Sequence, residues 1–263
     1  MTNKEKTDIA AFLDTAGDYL TGGYRRNRVS GEFAGPARRA SVRGSAPAGQ
    51  EEPAAAGQEA DSLDAVASDI SRCTRCGLCS TRTNTVPGEG VPRPLVMVVG
   101  EGPGADEDAT GRPFVGRAGQ LLDKILDSQG KIGLSRNKNC YIANVVKCRP
   151  PKNRDPLPDE TAACAGFLRR QIALLKPRVI LTVGNPASKT LLGTTDGITK
   201  IRGTFTNFNL DGLDIPLLPT FHPSALLRDE SLKVPVWKDM QTLRIKLCGL
   251  NDEYAALVAN MPL

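Results

Sequence analysis

The amino-acid sequence predicts an α/β fold whose mostly parallel sheet is covered on both faces by helices. Three short apolar segments rich in β-branched residues are typical of buried strands, at residues 96–99, 141–146 and 178–184. Segments with the apolar spacing of helices follow them, near residues 117–129, 159–176 and 186–192. Strands that alternate with helices in this way favour a parallel sheet, because a crossover helix returns the chain to the same end of the sheet.

Further elements complete one predicted domain, residues 61–263. Ser62 is a good N-cap for a helix that leads into the first cysteines. Residues 201–218 predict a hairpin with its turn at Asp211-Gly212, and a last helix is predicted near residues 235–248.

Residues 1–60 are predicted to be an extension outside this domain. The apolar spacing of residues 4–20 predicts a short amphipathic helix. From residue 21 to about 60 the chain is rich in Gly, Ala, Pro, Arg and Glu and has hardly any large apolar side chain. Such a segment cannot bury enough surface to offset its ordering entropy, so we predict that it is disordered. The arginines of this segment are interpreted as a solvated charged surface, and weak contact with phosphate groups is the alternative interpretation.

Composition limits the class of protein. The chain has 263 residues, with 34 Lys and Arg against 29 Asp and Glu, a net charge of +5 that allows a polyanionic partner without requiring one. No apolar run reaches about 18 residues, which argues against a membrane-spanning helix, and the N-terminus has no apolar signal core. The 7 cysteines, an odd number, fit a reducing cytoplasm better than a disulfide scaffold. We therefore expect a cytoplasmic monomer.

The loop after the first strand is the first candidate site. Ligands of open α/β sheets bind beyond the carboxyl ends of the strands, and this loop, residues 100–119, is long, acidic and glycine-rich and contains an isolated Phe114. It lacks both the Gly-Lys-Ser/Thr of a Walker loop and the G-x-G-x-x-G spacing of a dinucleotide site. Its carboxylates are possible general bases, or simply a solvated acidic face: Glu101, Asp106, Glu107 and Asp108.

Four cysteines form a candidate metal site. Cys73 and Cys76 make a C-x-x-C pair, predicted in a helix outside the sheet, while Cys148 closes the second strand and Cys164 lies on the next helix. Four thiolates suit tetrahedral zinc or an iron–sulfur cluster, and the spacing leaves this choice open. Cys79 is a fifth candidate. The other two indicate small buried apolar residues: Cys140 and Cys248.

His222 is the only histidine in the chain. A lone histidine is usually structural, but this one lies between Phe221 and Pro223 in a loop that leaves the hairpin. Its ordinary pKa, near 6.5, allows it to donate a hydrogen bond or to stabilise charge at neutral pH. Because it is unique, it cannot belong to a multi-histidine metal centre.

Four motifs occur in order between about residues 70 and 248: Gly100-Glu101-Gly102-Pro103-Gly104, Gly111-Arg112-Pro113-Phe114-Val115-Gly116, Asn144-Val145-Val146-Lys147-Cys148-Arg149-Pro150 and His222-Pro223-Ser224-Ala225-Leu226-Leu227-Arg228. Together they resemble the motif set of the family 4 uracil-DNA glycosylases, the iron–sulfur members of their superfamily. The resemblance implies a three-layer α/β/α sandwich with a central four-stranded, mostly parallel sheet. It also implies a [4Fe–4S] cluster held by Cys73, Cys76, Cys148 and Cys164.

The resemblance further implies a reaction, the hydrolysis of the N-glycosidic bond of uracil flipped out of DNA in base-excision repair, and roles for particular residues. Phe114 would stack on the uracil, Asn144 would recognise its polar edge, and the backbone near Gly102 would contact it. His222 would stabilise negative charge at O2. Gly102 stands where some relatives carry a water-activating Asp, which leaves Glu101 and Glu107 as candidate bases.

The segment after His222 is expected to enter the minor groove of DNA, with Ser224, Leu226 and Arg228 as substrate-binding residues. Leu226, Leu227 or Arg228 would fill the space that the base leaves. Gly104 stands where some relatives carry a bulky aromatic residue that excludes thymine, so thymine must be excluded by other means. Two alternatives come from other classes: a non-catalytic iron–sulfur module that binds DNA, and a zinc-stabilised hydrolase of another nucleoside.

Overall fold

The computed structural model describes residues 61–127 and 131–261. The strands are β1 (Glu89–Gly90), β2 (Val96–Gly100), β3 (Cys140–Asn144), β4 (Val179–Val183), β5 (Thr206–Leu210) and β6 (Leu213–Thr220). The helices are α1 (Leu63–Ser71), α2 (Ala105–Thr110), α3 (Arg117–Asp127), α4 (Pro158–Leu175), α5 (Asn185–Leu192), α6 (Ile198–Ile201), α7 (Pro223–Arg228), α8 (Lys233–Cys248) and α9 (Asp252–Val258). Short 3₁₀ helices span Gly77–Ser80, Pro151–Asn153 and Glu230–Leu232.

The described strands form one sheet in the order β1-β3-β2-β4-β6-β5. Its centre, β3-β2-β4-β6, is parallel, and the edge strands β1 and β5 pair antiparallel with their neighbours. The predicted α/β class is therefore confirmed, with six strands instead of four because the two edges extend the parallel centre. Pairing aligns Gly100 of β2 with Asn144 of β3, and Val183 of β4 with Thr220 of β6. The carboxyl ends of the four parallel strands thus lie along one end of the sheet.

Helices cover both faces of the sheet. Successive side chains of a strand point to opposite faces, so Met97 and Val99 of β2 pack in one core cluster while Val96 and Val98 pack in the other. The first cluster contains residues of α1 and α4, and the second contains residues of α3 and α8. All three inner strands predicted from the sequence, β2, β3 and β4, are buried at every position. This burial explains their continuous apolar runs.

Several predicted boundaries are confirmed. Ser62 caps α1 by accepting a hydrogen bond from the backbone N–H of Ala65 at 3.1 Å. The hairpin turns at Asp211 and Gly212, whose φ values of 48° and 85° give the left-handed conformation that such a turn requires. Within the described ranges, no helix is long and apolar enough to cross a membrane.

Other predictions were wrong in detail. The C-x-x-C pair is not in a helix, because α1 ends at Ser71 and Cys76 precedes the 3₁₀ helix Gly77–Ser80. The short helices α2 and α6 and the terminal helix α9 were not predicted. The predicted helix at residues 4–20 and the extension over residues 1–60 lie outside the described residues, so the division of the chain at residue 60 stays a prediction.

Candidate active site

The loops that follow β2, β3, β4 and β6 enclose a cleft of about 570 Å³. Eight of the residues that the sequence assigned to catalysis or substrate binding line it: Glu101, Gly102, Glu107, Phe114, Asn144, His222, Ser224 and Arg228. They come from the loop after β2, the end of β3 and the segment after β6, and the shared carboxyl end of the parallel strands brings them together. This is the location at which open α/β sheets bind ligands.

Asn144, the last residue of β3, contains an unsatisfied polar atom. The residue is 1% exposed, and its Oδ1 is the one buried side-chain N or O atom of the described residues that has no hydrogen-bond partner. Leaving such an atom unpaired costs about 1–3 kcal/mol. Its backbone is fixed, since the carbonyl oxygen accepts a bond of 2.8 Å from Nζ of Lys147. An unpaired acceptor that lines a cleft indicates a ligand with a matching donor.

The Phe114 ring lies beside Asn144 in the same cleft. A Cβ on Gly100 would lie 2.5 Å from both Asn144 Oδ1 and Phe114 Cζ, so only glycine fits at the end of β2. The Phe114 ring centroid is 5.7 Å from that of His222, with an angle of 35° between the ring planes. The backbone of Phe114 has a φ of 53°, which is strained for a residue other than glycine.

Arg136 maintains this conformation and was missed by the sequence analysis. Its Nη1 and Nη2 donate to the carbonyl oxygens of Pro113 and Phe114, each at 2.9 Å, and Nη2 also pairs with Asp123 at 2.9 Å. Arg136 is only 9% exposed. No motif marks it, because its role depends on a contact across 22 residues of chain.

His222 is a neutral hydrogen-bond donor. Its Nδ1 accepts a bond of 3.1 Å from the backbone N–H of Ser224 and lies 2.8 Å from the Ser224 hydroxyl. Since Nδ1 is an acceptor, the ring proton is on Nε2. Burial, together with the positive charge of Arg228, lowers the pKa of His222 to about 4. The imidazole is therefore uncharged at neutral pH and offers one N–H from Nε2.

Glu101 is the carboxylate of the cleft whose acidity is most changed. It is partly buried directly after β2, and burial, together with the neighbouring Asp155, raises its pKa to about 7. A carboxyl group with this pKa exchanges protons readily at neutral pH, as a general base must.

Glu107 has a structural role in this conformation. Its Oε2 accepts a bond of 3.0 Å from the N–H of Gly104, and its Oε1 accepts bonds of 2.9 Å from the N–H groups of Val115 and Gly116. Both oxygens are thus occupied, and the side chain ties the first turn of α2 to the segment that carries Phe114. This bonding argues against the predicted role of Glu107 as a general base.

We expect Glu107→Gln to lower stability by about 1–3 kcal/mol, because an amide NH₂ must replace one of the two accepting oxygens. The excision activity that the resemblance implies should fall with it only as far as Phe114 is displaced. Thermal unfolding measures the loss of stability, and a pH–rate profile measures the accompanying change in activity. An unchanged melting temperature with excision abolished would instead support a role as base.

The predicted DNA-contacting residues of helix α7 differ in their exposure. Leu226 is 2% exposed and packs in the core, whereas Leu227 is 43% exposed and Arg228 lines the cleft. A residue that fills the gap left by a flipped base must lie at the surface. The substrate-binding prediction for Leu226 is corrected on this ground, and Leu227 and Arg228 remain as candidates.

A second cavity, which we call the cysteine cavity, shares no lining residue with the cleft. Five cysteines line it: Cys73, Cys76, Cys79, Cys148 and Cys164. Its lining also includes Arg75, Arg82 and Lys147 but no carboxylate. Within the described ranges, no three His, Cys, Asp or Glu side chains are arranged to hold a single metal ion. Soft sulfur donors around one cavity are the ligands of both iron–sulfur clusters and structural zinc sites.

Comparison with known proteins indicates the superfamily of the chain. Residues 87–241 match the model of the uracil DNA glycosylase superfamily. The chain is 47% identical over 170 residues to a type-4 uracil-DNA glycosylase of Thermotoga maritima, covering 64% of this chain and 85% of the relative. It is 41% identical over 188 residues to one of Sulfurisphaera tokodaii, covering 70% and 84%. A type-5 uracil-DNA glycosylase of Thermus thermophilus is 36% identical over 118 residues, covering 41% and 53%.

Proposed function

The chain belongs to the uracil-DNA glycosylase superfamily, and we propose that the cleft between Asn144 and His222 is where it acts. The protein is an enzyme of DNA repair that hydrolyses the N-glycosidic bond of uracil in DNA and leaves an abasic site. A cleft of about 570 Å³ has room for one nucleoside but not for a duplex. The uracil must therefore be flipped out of the helix, at a cost of a few kcal/mol.

The unpaired Oδ1 of Asn144 is the observation that carries this assignment. Uracil offers an N3–H donor beside an O4 acceptor, so one carboxamide can accept from N3–H through Oδ1 and donate to O4 through Nδ2. Cytosine reverses both groups, with an acceptor at N3 and a donor at N4. The Phe114 ring adds a surface on which the flipped base stacks, which offsets part of the cost of flipping.

His222 acts on the leaving group. Breaking the glycosidic bond leaves negative charge on uracil and positive charge on the sugar. The Nε2–H of a neutral imidazole, held by the bonds from Ser224 to Nδ1, would donate to uracil O2 as that charge develops. The N–H stabilises the departing anion and needs no proton transfer.

Glu101 would position and activate the water that adds to the sugar. Since its pKa is about 7, the active carboxylate form becomes more populated as the pH rises through 7. We expect the single-turnover rate of the wild type to rise over the same range. Glu101→Gln should remove this dependence and slow cleavage by roughly 10²-fold, the lower end for a general base. A Gln variant that keeps the wild-type pH–rate profile would exclude Glu101 as the titrating group.

The DNA strand itself would be bound beside the cleft. Arg228 lies at its edge and can contact a phosphate, and the exposed Leu227 next to it can enter the gap left by the base. We also propose that the enzyme acts as a monomer.

The cysteine cavity would hold a [4Fe–4S] cluster through Cys73, Cys76, Cys148 and Cys164. The type-4 names of the relatives and the thiol lining of the cavity support this choice. A bound cluster would cross-link the segment after α1 to the segment after β3 and to α4. Because the cavity shares no residue with the cleft, the hydrolysis itself rests on the residues of the cleft.

We expect anaerobically purified protein to be brown, with a broad absorbance near ~400 nm from thiolate–iron charge transfer. Cys148→Ala should lose iron and colour, while Cys79→Ser, a change in the same cavity outside the proposed ligand set, should keep both. Metal analysis decides the matter: colourless protein with stoichiometric zinc would show that the proposed cofactor is wrong.

The function itself is tested with an oligonucleotide that contains a single uracil. After incubation with the protein, alkali should cleave the strand at that position, and free uracil should appear in equal amount. Matched oligonucleotides with cytosine or thymine at the same place should stay intact. Tight binding without uracil release would instead support the non-catalytic DNA-binding alternative.

A further inference from the structure

Arg82 joins two distant parts of the cysteine cavity. Its Nη1 donates to the carbonyl oxygen of Cys73 at 2.8 Å and to Sγ of Cys148 at 3.2 Å. Its Nη2 lies 3.4 Å from the carbonyl oxygen of Ser71, at the end of α1. One planar guanidinium therefore connects the segment of the C-x-x-C pair to a cysteine that follows it by more than 70 positions in the sequence.

The other two cations of the cavity are directed elsewhere. The guanidinium of Arg75 lies over the Phe167 ring, 4.7 Å from its centroid. The Nζ of Lys147 donates to the backbone of Asn144 at 2.8 Å and to Oε1 of Gln171 at 2.7 Å. Among the described side-chain cations that line this cavity, Arg82 is the one that hydrogen-bonds a cysteine sulfur.

We propose that Arg82 is a positioning residue for the cluster, which donates a charge-assisted hydrogen bond to the Cys148 thiolate and holds it against the Cys73 segment. This inference rests on the proposed cofactor. Hydrogen bonds and positive charge near a cluster sulfur stabilise the more negative, reduced state and so raise the reduction potential. The same bond opposes release of the Cys148 sulfur and so slows loss of the cluster.

The test compares Arg82→Gln and Arg82→Lys with Arg72→Gln. Arg72 is a matched control, because it lies ten positions earlier, is exposed, and pairs with Asp69 at the surface. Each purified full-length protein is assayed anaerobically for iron per chain, for the rate of bleaching near ~400 nm with a chelator, and for midpoint potential by dithionite titration.

We expect Arg82→Gln to bleach about tenfold faster than the wild type, which corresponds to 1.4 kcal/mol, and to have a more negative midpoint potential. Arg82→Lys keeps the charge but cannot span both partners, so it should retain more of the potential while still losing the cluster faster. If Arg82→Gln is insoluble, the bleaching rate of Arg82→Lys decides. Arg72→Gln should match the wild type.

The experiment distinguishes failure of the Arg82 inference from failure of the cofactor assignment. Iron in the wild type together with unchanged bleaching and potential in the Arg82 variants would overturn the inference and leave the cofactor in place. Wild-type protein that contains no iron would overturn the cofactor assignment itself, and the role of Arg82 with it.

Discussion

Replacing His222 with alanine should slow uracil release by roughly 10²–10³-fold, the loss typical of removing one preorganised donor to a developing anion. The donor is well defined, because the bonds from Ser224 to Nδ1 leave the proton on Nε2. Single-turnover cleavage of a uracil oligonucleotide measures the effect on the chemical step. The pKa of His222 is about 4, so the ring stays neutral and the loss should be the same from pH 6 to pH 9.

Ser224→Ala provides the matched control for His222. It removes the hydroxyl 2.8 Å from Nδ1 but keeps the backbone N–H that also bonds Nδ1. The tautomer is thus preserved, and cleavage should slow only a few-fold. A His222→Ala enzyme with nearly wild-type rates, or a loss confined to acidic pH, would contradict the assignment of His222 as a neutral donor.

Asn144→Asp should reduce uracil excision by at least roughly 10–10²-fold, because losing the contact to O4 costs about 1–3 kcal/mol. An ionised carboxylate still accepts from N3–H but repels O4, where the amide donated. Its size is almost that of asparagine, so the fold should be kept, and the melting temperature checks this. In acid, the protonated carboxyl group presents the donor and acceptor that cytosine requires, and weak cytosine release is expected from this variant alone.

Asn153→Asp controls for the added charge. Asn153 lines the same cleft, and its Oδ1 accepts a bond of 2.7 Å from Arg149. The variant places the same negative charge near the DNA, yet it leaves the contacts to uracil intact. Its uracil excision should therefore stay far above that of Asn144→Asp. Equal losses in the two variants would mean that charge repulsion, and not recognition of the base, explains the effect at Asn144.

The parallel centre of the fold could be predicted because its strands have a recognisable sequence pattern. Residues 96–99 and 179–183 are buried on both faces, which requires continuous apolar runs that the sequence displays directly. Asn144 and His222 could be located for a related reason, since Asn144 ends the buried strand β3, His222 follows β6, and parallel strands end together. The edge strand β1 has only two residues and exists through its pairing with β3, so it has no pattern of its own.

The parts of the site that escaped prediction depend on contacts between distant segments. Glu107 was a candidate base from its place in an acidic loop, but its oxygens bond N–H groups up to nine positions away. Leu226 and Leu227 are adjacent and chemically alike, and only the packing of α7 shows that the first is buried and the second exposed. The need for glycine at residue 100 likewise follows from the positions of Asn144 and Phe114, which the sequence does not give.

A crystal structure of the protein with bound uracil would test the central claim most directly. The account predicts that the base lies in the cleft against the Phe114 ring. Its N3–H should be within hydrogen-bonding distance of Asn144 Oδ1, the buried acceptor that otherwise has no partner, and its O2 should face His222 Nε2. Uracil bound with Asn144 Oδ1 still unpaired, or bound outside this cleft, would contradict the account.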